Sequence, residues 1–200
     1  MRRKEYSAGA VKISFWFMEF RIVIKLLSEG KSMDDIKVQN QAQNIFSAPT
    51  PLRANQIFRT VSARIKTLDK SFYSVFLESD LATQKLFALI AAMAYDTLFF
   101  DFVYEVVREK MIIGSNELAD SDVRIFFKDK QRQDEKVAGW TEATLIRLGR
   151  CYKTMLYESG MIDKSRQTRK ILKPILDPAM RCWLEEQDME IFIKALTGVR

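Results

Sequence analysis

Glycine and proline are scarce in this chain, and their scarcity constrains its fold more than any other feature. Only 7 Gly and 4 Pro occur among its 200 residues. A β-sandwich or a small barrel needs frequent turns, and these two residue types build many of them. The apolar fraction of 48% is enough for one sizeable core or two small ones. We therefore predict an all-α protein whose helices are joined by short loops.

Helix-capping signals mark the first three helices. Ser14 and Gly30 predict the start and the end of the first helix. Ser32 offers a side-chain cap for a second helix, and acidic residues follow it in the first turn. Thr50 and Pro51 combine a side-chain cap with a proline in the first turn, so they predict a third helix that runs to about residue 68.

A polar stretch at residues 114 to 120 is the best candidate for a domain boundary. We predict two small helical subdomains. The first, at residues 1–113, contains a helix-turn-helix-like segment, and the second occupies residues 114–200. In the second, a capped helix ends at Gly160, and residues 161 to 176 place apolar ends around a polar centre. This pattern predicts a short β-hairpin, or wing, and a winged-helix-like C-terminal domain.

Histidine is absent from the sequence, and its absence argues against catalysis. Without histidine there is no Ser-His-Asp or Cys-His nucleophile system, and the commonest general base and many metal sites are missing. Cys151 and Cys182 are too far apart in sequence to suggest a zinc motif, and no glycine-rich phosphate loop occurs. We expect no enzymatic activity, no catalytic residue, no metal site and no cofactor.

Residues 86 to 107 are the only stretch long and apolar enough to suggest a membrane span. They contain Asp96, Asp101 and Glu105. An acidic side chain near the centre of a bilayer costs about 2.5 to 3.5 kcal/mol on insertion scales. We therefore predict two buried core helices that meet at Asp96, in a soluble, cytoplasmic protein that does not bind membranes.

The third helix has a polar face that could bind nucleic acid. The chain carries 32 basic and 26 acidic residues, a modest excess whose meaning depends on its location. Gln56, Arg59 and Lys66 lie opposite the apolar face of this helix, and such side chains bind base edges and phosphates. A preceding capped helix adds a helix-turn-helix character, although the connecting loop is long. The alternative is the solvated face of an ordinary amphipathic helix.

A second basic cluster lies in the C-terminal part. Arg147, Arg150 and Lys153 project from the helix that ends at Gly160, largely opposite its apolar face. The expected hairpin adds five cations, namely Lys164, Arg166, Arg169, Lys170 and Lys173. Cations at this density attract phosphates without reading base sequence. The alternative, which the sequence leaves open, is a solvated basic loop.

Several short motifs occur in an order that resembles the BrxA family. They are Tyr6-Ser7-Ala8-Gly9, residues 64 to 68, DFVYEVVREK at 101 to 110, Phe126-Phe127, Trp140-Thr141-Glu142-Ala143-Thr144, LYESGMI at 156 to 162, and Pro174-Ile175-Leu176. The resemblance spans nearly the whole chain. It implies an all-helical fold related to that of the antitermination factor NusB, binding of double-stranded DNA, and no catalytic activity.

The resemblance also implies a place among the proteins of a bacterial BREX phage-defence system. We therefore expect an accessory protein that binds double-stranded DNA, with other BREX proteins as further partners. No DNA-binding motif of the family transfers residue by residue, so the candidate residues rest on helix faces and charge. Two other functions stay open: a protein–protein adaptor whose basic faces dock acidic partners, and an RNA-binding protein of NusB-like fold.

Overall fold

The structure is a computed structural model that describes residues 4–165 and 168–200. The regular elements of its first half are a 3-10 helix (Ala8–Lys12), α1 (Phe17–Ser28), α2 (Met33–Gln43), α3 (Pro51–Ile65), α4 (Phe72–Glu78), α5 (Leu81–Tyr95), α6 (Thr97–Phe102), a π-helical turn (Val103–Val107) and α7 (Arg108–Ile112). The second half contains β1 (Glu117–Ala119), α8 (Asp120–Gln133), α9 (Glu135–Ala138), α10 (Glu142–Glu158), β2 (Thr168–Lys170), α11 (Pro178–Glu186) and α12 (Glu190–Thr197). The predicted all-α class with one short hairpin is confirmed.

The predicted capping residues mark the N-terminal ends of α2, α3 and α10. Ser32 and Asp35 form a reciprocal capping box at the start of α2. The Thr50 hydroxyl accepts a hydrogen bond from the backbone N–H of Arg53 at the start of α3. Thr141 caps α10 in the same way. Each cap satisfies a backbone donor that the helix leaves free, which stabilises the helix by about 1 kcal/mol.

The start of α1 differs from the prediction. The helix begins at Phe17, and its N-cap is Trp16, which adopts a left-handed backbone conformation with φ of 53° and makes no side-chain cap. Ser14 does not cap a helix, because its backbone carbonyl and that of Phe15 accept hydrogen bonds from the buried guanidinium of Arg64. A tertiary contact therefore holds this segment outside the helix.

The break at Asp96 is confirmed. The Asp96 carboxylate accepts hydrogen bonds from the backbone N–H groups of Leu98 and Phe99 and so caps α6. In the part of the chain that the structure describes, no single helix is long and apolar enough to cross a membrane. Helix α5 and the helical segment Thr97–Ile112 reach that length only as a pair bent by 115°.

Aromatic side chains join the N-terminal helices to the C-terminal ones. The ring of Phe72 packs against Phe20, Phe76, Phe87 and Trp183, with centroid distances of 5.7 to 6.3 Å. These contacts bring together α1, α4, α5 and α11. Each such pair contributes about 0.5 to 1.5 kcal/mol beyond the burial of its area. Buried residues on both sides of position 113 belong to one apolar cluster, and the division into two domains stays a prediction.

A small antiparallel sheet forms in the second half. Strands β1 and β2 pair with Leu118 opposite Arg169. An antiparallel bridge between Ile162 and Ile171 closes the predicted hairpin. The sequence did not predict β1, because a strand of three residues is too short for an alternating pattern to be recognised. The hairpin is thus attached to the segment that immediately precedes α8.

Candidate nucleic-acid interface

The position of α10 follows from its buried face. Tyr152 is fully buried and packs against Phe99, Phe102 and Phe127, with centroid distances of 4.8 to 6.0 Å. On the same side, Gly149 lies so close to α8 that a Cβ atom there would approach Cγ1 of Val123 to 2.6 Å. Close packing on this side leaves the opposite face of α10 exposed to solvent.

The exposed face of α10 carries free cations. Arg147 and Arg150 are exposed, and within residues 4–165 and 168–200 neither forms an ion pair or a side-chain hydrogen bond. Lys153, the third predicted residue, is instead half-buried and paired with an acidic residue of α8. The face therefore presents two free guanidinium groups and one neutralised ammonium group.

Strand alternation divides the cations of the hairpin into two groups. Lys170 is exposed, whereas Arg169 turns toward α8, because neighbouring side chains of a strand point to opposite sides. Lys164 and Lys173 are also exposed. Arg166 lies outside the residues that the structure describes.

Asp163 holds the base of the hairpin. Its carboxylate accepts hydrogen bonds from the backbone N–H of Lys170 at 2.9 Å and from the hydroxyl of Ser165 at 2.9 Å. The hydrogen bond from the Lys170 backbone is the main reason why the pKa of Asp163 lies below its usual range. The only acid of the predicted basic cluster therefore has a structural role in the turn.

Asp120, the first residue of α8, links this helix to α10 and to β2. Its Oδ1 atom lies 2.5 Å from Nζ of Lys153 on α10 and 3.1 Å from Nη1 of Arg169 on β2. The hydrogen bond from Lys153 is the largest of the effects that lower the pKa of Asp120. Sequence reasoning missed Asp120, because an acid in the first turn of a helix is ordinarily read as favouring the helix dipole. Only the tertiary fold brings the two cations to it.

The predicted polar face of α3 lies in a different surface. Arg59 and Lys66 are exposed and unpaired within the described residues. The amide of Gln56 is already engaged: its Nε2 donates to the carbonyl of Lys12 at 2.8 Å, and its Oε1 accepts from Arg53 at 2.8 Å. Gln56 would have to give up both contacts before it could bind a base.

The buried charged side chains of the core have structural roles. Arg64 is 2% exposed and donates to the carbonyls of Ser14 and Phe15 at 3.0 and 2.7 Å. Burial lowers its pKa to about 10, and burial also raises the pKa of Asp96 to about 6. Among the described residues, no group of three or more acidic or cysteine side chains could hold a metal ion.

A buried ion pair joins α6 to α8. Nζ of Lys130 lies 3.6 Å from a carboxylate oxygen of Asp101 and 2.7 Å from one of Glu105. The hydroxyl of Tyr6 donates to Asp101 at 2.6 Å. These contacts hold α8 against the core. Strand β1, which immediately precedes α8, is held there with it.

Comparison with known proteins identifies relatives of this chain. The BrxA family model matches residues 4–188. A Bacillus cereus protein named BREX protein BrxA is 35% identical over 161 residues, which cover 80% of each chain. An Escherichia coli protein of the same name is 24% identical over 182 residues, covering 91% of this chain and 85% of that one. An uncharacterised Magnetospirillum magneticum protein, known from a crystal structure, shares the fold, with a TM-score of 0.81 and 20% identity over 98% of this chain and 100% of that one. By these matches, the chain belongs to the BrxA family.

Proposed function

We propose that this protein is a non-enzymatic accessory factor of a bacterial BREX defence system and that it binds double-stranded DNA. Its relatives in Bacillus cereus and Escherichia coli are named BREX protein BrxA, which supports the cellular setting. In this setting the protein works in the cytoplasm, beside other BREX proteins.

The observation that carries the proposal is the order and packing of β1, α8, α9, α10 and the hairpin. A short strand, successive helices and a hairpin that returns to the first strand are the parts of a winged helix. In such a layout the last helix is presented to the major groove, which is about 12 Å wide and admits one α-helix. Helix α10 occupies that position, and its outward face carries Arg147 and Arg150.

The cations of this region have different expected roles. Arg147 and Arg150 would contact base edges or phosphates from α10. Lys164, Lys170 and Lys173 would contact phosphates from the hairpin, which adds affinity without sequence preference. Lys153 and Arg169 are held by Asp120 and position the hairpin against α10. We call the five exposed cations Arg147, Arg150, Lys164, Lys170 and Lys173, together with Lys153 and Arg169, the α10–hairpin surface.

Charge reversal tests this assignment. Replacing both Arg147 and Arg150 with Glu should weaken binding of a labelled DNA duplex by about tenfold or more, since two phosphate contacts are lost and two repulsions added. Fluorescence anisotropy at fixed salt measures the change. A control variant with Lys25→Glu and Lys194→Glu alters the net charge equally on α1 and α12. Equal losses in the two variants would mean that α10 has no special role.

Duplex DNA and structured RNA of equal length should also be compared. A winged helix reads the major groove of B-form DNA, whereas the major groove of A-form RNA is too narrow and deep for side chains to read. The proposal therefore predicts tighter binding to DNA. Preference for RNA would favour the RNA-binding alternative.

A further inference from the structure

A long groove lies on the N-terminal half of the molecule, on elements other than those of the α10–hairpin surface. The 3-10 helix, α2 and α3 form its walls, and its volume is about 1130 Å³. Leu52, Arg59 and Lys66 follow one another along α3 at seven-residue spacing, so they lie on one side of this helix. At 1.5 Å per residue, this row is about 21 Å long, or about four helical turns.

The charges of this groove have one dominant sign. Lys12, Lys37, Arg59 and Lys66 line it, against one acid, Asp34. All four cations are exposed, and none forms an ion pair within residues 4–165 and 168–200. We call this set of residues, with the walls described above, the basic groove. Its unneutralised charge is complementary to an acidic partner.

Apolar side chains lie between these cations. Leu52 is 81% exposed, and Met33 and Ile13, on the other two walls, are half-buried. A surface that only contacts phosphates has no need of an exposed leucine beside its cations. A groove that combines apolar side chains on its walls with flanking charges matches an amphipathic helix, whose anchor residues repeat every three or four positions.

Shape also distinguishes the basic groove from a DNA-binding surface. A helix that reads DNA must protrude, because it has to enter the major groove. Helix α3 is instead flanked by α2 and the 3-10 helix. Gln56, the best candidate on α3 for reading a base, is held by Lys12 and Arg53. The basic groove is therefore suited to receive a helix of another molecule, and α3 is not placed to enter a groove of DNA.

We propose that the basic groove binds an acidic amphipathic helix of a partner protein. The helix lies along α3, places its apolar side chains against Leu52, Met33 and Ile13, and pairs its carboxylates with Lys37, Arg59 and Lys66. The protein thus has two separate binding surfaces, one for DNA and one for a protein.

A synthetic peptide of about 18 residues, or five turns, provides the probe. It has Leu at every third or fourth position, Glu elsewhere and a fluorescein label; a second peptide has Lys in place of Glu. Anisotropy should show binding of the acidic peptide to the full-length protein and none of the basic one. Absence of binding by the acidic peptide, or equal binding of both, overturns the proposal.

Variants locate the binding site. Lys37→Glu with Arg59→Glu should weaken peptide binding by about tenfold or more, because two attractions become repulsions. Leu52→Asp should weaken it without disturbing the core, since this side chain is exposed. The double variant Lys25→Glu with Lys194→Glu is the matched control. Peptide binding that is unchanged by the groove variants would refute the location.

DNA binding by the same variants separates the two surfaces. Lys37→Glu with Arg59→Glu should keep DNA affinity within about twofold of the control double variant, because the two variants change the net charge equally and neither alters α10 or the hairpin. A selective loss of DNA affinity in Lys37→Glu with Arg59→Glu would make the groove a nucleic-acid contact and overturn the proposal. Circular dichroism on each variant verifies that the fold is intact.

Discussion

Replacing Asp120 with Asn is expected to strengthen DNA binding. In the structure one carboxylate oxygen of Asp120 contacts both Lys153 and Arg169. The substitution removes the negative charge and keeps the size of the side chain. Both cations then become free to neutralise phosphates. If each neutralises one, the plot of log affinity against log salt becomes steeper by about 1.8 units, at about 0.9 per contact.

The cost of this substitution in stability is small. The side chain of Asp120 is 49% exposed, whereas those of Lys153 and Arg169 are 14% and 18% exposed; ion pairs with one exposed partner contribute about 1 kcal/mol or less each. A favourable interaction of the carboxylate with the start of α8 adds about 0.3 to 1 kcal/mol. We therefore expect the variant to remain folded, with a free energy of unfolding lower by about 1 to 2 kcal/mol.

Asp129→Asn is the matched control for this experiment. Asp129 lies on the same helix, is 47% exposed and, among the residues that the structure describes, pairs only with Arg132, which is not part of the α10–hairpin surface. Anisotropy titrations of a DNA duplex at several salt concentrations should give a steeper slope for Asp120→Asn than for Asp129→Asn. Equal slopes would show that Lys153 and Arg169 do not face DNA. A lower affinity of Asp120→Asn would refute the reasoning and make Asp120 a residue that DNA binding requires.

Three further predictions concern stability. Gly149→Ala should lower the free energy of unfolding by about 1 to 3 kcal/mol in urea denaturation, because its Cβ would overlap Val123; unchanged stability would contradict the close packing of α8 and α10. Lys130→Met should cost about 3 kcal/mol, because it leaves the buried carboxylate of Asp101 without its cation; a melting temperature equal to wild type would contradict this. Burial raises the pKa of Asp96 to about 6, so its contribution to stability is present below about pH 4 and is lost as the pH rises toward and through 6. The melting temperature of Asp96→Asn, measured relative to wild type, should therefore rise between pH 4 and 7. Melting temperatures that change with pH in parallel in the two proteins would contradict the raised pKa of Asp96.

Local signals in the sequence predicted most of the helices. Capping residues act within a few positions of themselves, so Ser32, Thr50 and Thr141 marked the starts of α2, α3 and α10 correctly. The acids at positions 96, 101 and 105 argued against a membrane span and predicted a break at Asp96; the structure shows that Asp96 caps α6 there. The hairpin was predicted from the pattern of apolar ends around a polar centre.

Features that depend on distant contacts could not be predicted. Helix α1 begins only at Phe17 because Arg64, far along the chain, binds the carbonyl groups of Ser14 and Phe15. The pairing of Asp120 with Arg169 joins residues 49 positions apart. Strand β1 exists only because the hairpin supplies its partner. A charge count therefore identified the basic hairpin, but it could not separate free cations from neutralised ones.

The salt dependence of DNA binding tests the account most directly. Lys164, Lys170 and Lys173 are the exposed lysines of the hairpin region, and they are replaced together with Ala. The control replaces three exposed lysines elsewhere, namely Lys25, Lys70 and Lys194. If each hairpin lysine neutralises one phosphate, the slope of log affinity against log salt falls by about 2.7 units, and the control keeps the wild-type slope. A hairpin variant with the slope and affinity of the control would contradict DNA binding through the α10–hairpin surface.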